Sequence, residues 1–247
     1  MRILVIDDSP LHQASARQTL AGHELTVIGS YDEAYEALGQ PDADWETVGP
    51  EISRLDLKNI YDGGKHSPEE VAATRNAIKR FFQERSSFDV VLCDLLMPAG
   101  KTEMGPAGMK YVGQEMPVGF ALALMAVVYG AKHVAVVTDA KHHDHPASVM
   151  LDRLDETPFS IDGAKVGFYH SPLTPVDGTV CRKCKDPGKK QKCYCLDHQS
   201  GLPRANCEQC NGVGKFCWAC NDSGKAQGKD WGKILADLVA NNAQPLT

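Results

Sequence analysis

Four short runs of apolar residues, each ending abruptly on polar ones, set the pattern of this chain. Ile3-Leu4-Val5-Ile6 stops at Asp7-Asp8, Val90-Val91-Leu92-Cys93 at Asp94, Val134-Ala135-Val136-Val137 at Thr138-Asp139, and Val166-Gly167-Phe168-Tyr169 at His170-Ser171-Pro172. Continuous, β-branched-rich runs of this length predict strands buried on both faces of a parallel sheet. Leu25 to Ile28 predicts a further short strand. Helical signals lie between them. Ser9-Pro10 predicts an N-cap and first helical position, with Gly22 closing that helix. Ser30-x-x-Glu33 and Ser67-Pro68-Glu69-Glu70 predict capping boxes. The second opens a helix over 68–85 with Val71, Thr74, Ile78, Phe81 and Phe82 on one face. Val118 to Tyr129 is apolar on nearly every side and predicts a buried helix, too short to span a bilayer. A helix is predicted over about 147–155. Asp230 caps a last amphipathic helix with Trp231, Ile234, Leu235, Leu238 and Val239 inward.

Strands alternating with helices predict an α/β fold, a doubly wound five-stranded parallel sheet. Two stretches break the alternation. Residues 39–66 carry turn signals without periodicity and read as an insertion. Residues 179–228 hold eight of the nine cysteines. Five strands need a fifth helix, and the only candidate follows the cysteines. The predicted layout is therefore a core over 1–178, a Cys-rich insertion over 179–228, and the core's last helix over 229–247.

Length and charge add less. A chain of 247 residues can bury a full core. A formal charge of −6 argues against a nucleic-acid partner for the chain as a whole. The N-terminus runs straight into Ile3–Ile6 and then acids, which predicts no secretion signal and a reducing, cytoplasmic setting without membrane attachment. Gly100-Lys101-Thr102 looks like the end of a phosphate-binding P-loop, but Leu95 stands where its first Gly belongs, and an ordinary loop is expected.

The candidate chemistry begins with the strand-end acids. Asp7, Asp8 and Asp94 would meet if the first and third predicted strands are neighbours, since ligands gather at the carboxyl ends of such sheets. Like charges that close need a cation, and an oxygen-only set suits Mg²⁺. Asp94 could then act as a nucleophile toward a phosphoryl group, with the Thr138 hydroxyl bonding a phosphoryl oxygen. His142-His143-Asp144-His145 follows Thr138 and is expected to be an exposed polar loop.

Ile3-Leu4-Val5-Ile6-Asp7-Asp8-Ser9 and Asp94-Leu95-Leu96-Met97-Pro98 resemble the receiver domain of response regulators. The resemblance spans about residues 1–38, 86–98, 117–178 and 229–247. It implies a flavodoxin-like fold, Mg²⁺ held by Asp7, Asp8 and Asp94, phosphoryl acceptance at Asp94, Thr138 as switch hydroxyl and Phe168 as switch aromatic. It implies a histidine kinase or another signalling protein as partner, and enzymatic activity only as self-phosphorylation and dephosphorylation. Receivers also carry a Lys just before the Pro that follows the fifth strand. Here that position reads Ser171-Pro172, so the ammonium is expected to be lost or replaced by Lys101, Lys141 or His170. Its loss would leave a phosphorylation-independent binding scaffold. A Mg²⁺-dependent phosphotransfer or hydrolytic enzyme is a further alternative, but it lacks a general base.

The cysteines form four close pairs, Cys181/Cys184, Cys193/Cys195, Cys207/Cys210 and Cys217/Cys220. Tetrahedral Zn²⁺ commonly takes two such pairs, so eight thiolates predict two structural zinc sites, and the even pairing favours zinc over iron–sulfur ligation. Cys207-Glu208-Gln209-Cys210-Asn211-Gly212-Val213-Gly214 resembles the cysteine-rich zinc domain of J-domain co-chaperones. That resemblance implies that the first pair shares a zinc with the fourth and the second with the third. Spacing alone equally allows local pairing, and His198 could replace a thiolate. Arg182, Lys183, Lys185, Lys189, Lys190 and Lys192 make the first half basic. A solvated surface or a protein-docking face is expected there, with nucleic acid disfavoured. Cys93 is expected in the core.

Overall fold

The structure, a computed structural model, describes residues 1–39, 67–102, 104–140, 145–151, 154, 157–181, 191–192, 215–216, 223 and 225–240. Its strands are β1 (Arg2–Ile6), β2 (Glu24–Ile28), β3 (Val90–Asp94), β4 (Met97–Pro98), β5 (Glu115–Met116), β6 (His133–Thr138), β7 (Phe159–Ile161), β8 (Ala164–His170), β9 (Leu173–Pro175), β10 (Gln191–Lys192), β11 (Lys215–Phe216) and β12 (Gln227–Lys229). Its α-helices are α1 (Pro10–Thr19), α2 (Tyr31–Leu38), α3 (Pro68–Glu84), α4 (Gly119–Val128), α5 (Pro146–Leu151) and α6 (Trp231–Ala240).

A mixed α/β core is built on a six-stranded sheet in the order β2-β1-β3-β6-β8-β7. The first five strands are parallel, an order compatible with a flavodoxin-like doubly wound sheet. The sixth corrects the expectation of five. Phe159–Ile161 pairs antiparallel with Ala164–Val166 through a two-residue turn. That turn places Asp162 and Gly163 at φ 52° and 83°, the geometry that Asp-Gly supplies in tight hairpins.

Alternation along each strand feeds two cores. Leu4, Ile6, Val91, Cys93, Val134, Val136, Val166 and Phe168 face α2, α4 and α5. Ile3, Val5, Val90, Leu92, Ala135, Val137 and Tyr169 face α1 and α6. Phe168 is thus a core side chain, packed with Phe120 and stacked on Phe159 at 5.6 Å. Helix starts follow the cap signals. Ser67 and Glu70 complete a reciprocal box, and Ser30 accepts from the Glu33 amide. Ser9 departs from expectation, because it makes no side-chain cap and its amide instead donates to Asp7. The first helix ends at Thr19, before Gly22. Helix α4 is not buried all round, since Leu124 and Val128 are exposed.

Three short antiparallel ladders among the described residues lie outside the sheet, one of them β10–β11. β4 and β5 pair antiparallel and gather the loop after Asp94. β9 and β12 also pair antiparallel, Leu173 opposite Lys229 and Pro175 opposite Gln227. They bring the two ends of the Cys-rich stretch together at the carboxyl edge of the sheet. No helix among the described residues is long and apolar enough to cross a membrane.

Candidate functional site

The site forms where β1 stands between β2 and β3, with Ile6 opposite Ile28 on one side and Cys93 on the other. Here the chain, having built outward through β2, returns to build the other way, the crevice that open α/β sheets use. Asp7 follows β1 and is fully buried. One carboxylate oxygen accepts from the Ser9 amide at 2.9 Å. Asp8 is exposed as a residue, but its carboxyl is partly covered. Burial and the neighbouring Asp7 push its carboxyl upward. Asp94 closes β3, opposite Val137, and is 7% exposed. Oxygens of Asp7, Asp8 and Asp94 lie within 4.8 Å of one another.

A lysine that sequence reasoning missed lies among them. Lys229, the last residue of β12, is wholly buried, and its Nζ stands 2.8 Å from Asp7 Oδ2, 2.8 Å from Asp94 Oδ1 and 3.5 Å from Asp139 Oδ1. Burial opposes its charge, but the three carboxylates outweigh that and raise the ammonium's pKa. For Asp94 burial dominates. It pushes the carboxyl up to about 7, with Lys229 pulling against it and Asp7 adding to it. Asp139 is held well below the usual carboxylate range, first by its bond to His12 and then by Lys229.

Lys229 owes its place to α1. Its amide donates to His12 Nδ1 at 3.2 Å, its carbonyl accepts from Ser15 Oγ, and the indole two residues on, Trp231 Nε1, donates to the His12 carbonyl at 3.0 Å. A Cβ on Gly228 would stand 2.6 Å from Ser15 Cβ, so only glycine lets β12 approach so closely. An ammonium therefore stands beside the strand-end acids, though not at Ser171. The cation lies beyond the Cys-rich stretch, one residue before the Asp230 cap of α6, where Asp230 Oδ1 accepts from the Lys233 amide. Counting back from the last helix, rather than forward from the fifth strand, would have found it.

The proposed substitutes lie elsewhere. Lys101 sits on the β4–β5 loop, its amide bonded to Asp32. His170 lines a cavity of about 440 Å³ with Tyr169, Ser171, Lys233 and Asp237, and none of Asp7, Asp8, Asp94 and Asp139 lines it. Lys141 and the His142-His143-Asp144 run fall outside the described residues. Thr138 ends β6 and is 2% exposed, and its Oγ1 accepts from the Ala140 amide at 3.1 Å. Asp139 beside it is a second residue that sequence reading left without a role, and His12 a third. The signal for His12 was its place on the inward stripe of α1 with Ser15 and Ala16, where a polar side chain needs a partner.

The residues present fit a hard divalent cation. The donors are carboxylate oxygens alone, two of them buried, and a positive charge already bridges Asp7 and Asp94. Of the eight clustered cysteines, Cys181 is buried. Cys184, Cys193, Cys195, Cys207, Cys210, Cys217 and Cys220, like residues 40–66 of the insertion predicted over 39–66, fall outside the described residues. Cys93 is buried, its thiol turned to the carbonyls of Gly119 and Ala135 at 3.4 Å and its pKa raised by burial. No family model, curated protein or solved structure matches the chain.

Proposed function

We propose that this protein is an atypical response-regulator receiver that accepts a phosphoryl group on Asp94, with the cysteine segment, holding two Zn²⁺, as its output or docking surface. The observation that carries the reading is the buried ammonium of Lys229, 2.8 Å from both Asp94 and Asp7 at the carboxyl edge of the sheet. A nucleophilic carboxylate there has an acid pair beside it and a cation able to receive negative charge.

An Asp94 oxygen attacks the phosphorus of a small phosphodonor or of a kinase phosphohistidine. The new O–P bond forms as the bond to the leaving group breaks, and that group departs with its electron pair. Lys229 then exchanges its contact with the Asp94 carboxylate for one with a phosphoryl oxygen. The Thr138 hydroxyl, on the neighbouring strand end, offers a hydrogen bond to another. Asp7, Asp8 and Asp94 would hold Mg²⁺, which when bound neutralises charge on the phosphoryl oxygens. Lys229 also removes the reason for reading the chain as a scaffold that had lost its ammonium.

Incubation with Mg²⁺ and acetyl phosphate, or with beryllofluoride, tests this. The expected result is a phosphorylated or beryllofluoride-bound form that disappears in Asp94→Ala. No response, or one that survives the substitution, overturns the reading. Turnover of an external phosphoester would make the protein a hydrolase instead.

A further inference from the structure

His12 and Asp139 also bear on Lys229. Because His12 Nδ1 accepts the Lys229 amide, the ring's proton sits on Nε2, which donates to Asp139 Oδ2 at 3.2 Å. The other Asp139 oxygen stands 3.5 Å from the Lys229 ammonium. One imidazole therefore fixes both ends of the lysine: its backbone directly, and its ammonium through a carboxylate.

The ammonium has two close carboxylates and a third slightly too far for a tight contact. The close pair belongs to the acid cluster; the third does not. A divalent cation entering the cluster brings a second positive charge beside the ammonium, which already pairs with Asp7 Oδ2 and Asp94 Oδ1. A lysine without another seat would resist that entry or be left buried and unpaired, which is strongly unfavourable.

We propose that Asp139, oriented by His12, is a positioning residue that gives Lys229 an alternative seat and so opens Asp7 and Asp94 to a divalent cation. Lys229 moves toward Asp139 as the cation takes up the acid pair, and His12 keeps the Asp139 carboxylate turned to meet it. This rests on the cation site of the proposed function.

Calorimetric titration with Mg²⁺ alone provides the test, in the full chain, as a double-mutant cycle on Asp139→Asn and Lys229→Met. Asp139→Asn should weaken Mg²⁺ binding by about 3- to 10-fold, the range expected for a coupled neighbouring pair. In the Lys229→Met background the same substitution should have no effect, because the seat has lost its occupant. An equal loss in both backgrounds overturns the inference, since it would mean that Asp139 acts only as one more negative charge. Should Lys229→Met not fold, a cycle of His12→Gln with Asp139→Asn replaces it: the double variant should bind no more weakly than Asp139→Asn, and additive losses overturn the proposal. A wild-type chain that takes up no Mg²⁺ sinks the cation site and this inference together. Binding without coupling sinks this inference alone.

Discussion

At the scale of single residues, one buried cation among four acids decides the chemistry. An isolated buried carboxylate would be neutral, and an isolated buried ammonium would lose its proton; together they stay charged. The balance is incomplete at Asp94, whose pKa in the folded chain is raised to about 7. Between about 4, where a free aspartate titrates, and about 7, folded Asp94 holds a proton that the unfolded chain has released. This group therefore lowers folding stability as pH rises through that window. Asp139 has the opposite sign, since its depressed pKa stabilises the fold above the ordinary carboxylate range and that benefit is lost on acidification. Urea unfolding of metal-free protein across this range should show a declining component that Asp94→Asn removes. An unchanged pH slope in that variant would contradict the assignment. Asp94 was legible in the sequence because an apolar run stops at it. Lys229 was not, because its partners are 222 and 135 residues away, and no local pattern marks a lysine as buried.

At the scale of elements, the site depends on how closely helices approach strand ends. Gly119 opens α4 directly behind Asp94, and a Cβ there would lie 2.1 Å from the Asp94 carbonyl oxygen. The Gly119 amide also donates to the Leu95 carbonyl at 3.1 Å. Gly119→Ala must push α4 or the Asp94 strand end aside. Overpacking of this kind costs about 1–3 kcal/mol, to be read as a lower denaturant midpoint with an unchanged slope. The same variant should respond less to beryllofluoride, because the displaced backbone carries Asp94. Element types were largely readable. Caps at Ser30, Ser67 and Asp230 and the apolar strand runs appear where the pattern predicts them. The β7–β8 hairpin was not read, although Asp162-Gly163 marked it, because a three-residue strand has too few positions to display a period.

At the scale of the whole molecule, a long excursion separates the fifth parallel strand from the last helix, and its return strand carries the cation. The two ends are tied directly to each other. β9 pairs with β12, the Val176 amide donates to the Ala226 carbonyl at 2.9 Å, the Ala226 amide donates to Thr179 Oγ1 at 3.1 Å, and Lys225 pairs with Asp177. Replacing residues 182–222 by a short glycine linker should therefore leave a folded chain that keeps its Asp94-dependent response to beryllofluoride. Elemental analysis should find two Zn per full-length chain and none in the shortened one. A shortened chain that folds but no longer responds would show that the excursion sustains the Lys229 position. A full-length chain without zinc would refute the metal reading of the cysteines.

The sequence by itself determined the five parallel strands, most helices and the acidic strand ends. Those follow from periods and caps that operate over a few residues. It also marked the cysteine pairs, whose spacing is local. The tertiary structure decided which charges meet. Only when β1, β3 and β6 align, and α1 packs against β12 through His12, Ser15 and Gly228, does an ammonium from the far end of the chain enter the cluster of Asp7, Asp94 and Asp139. The free energy of a buried charge depends on neighbours in space, and chain order carries almost no information about them.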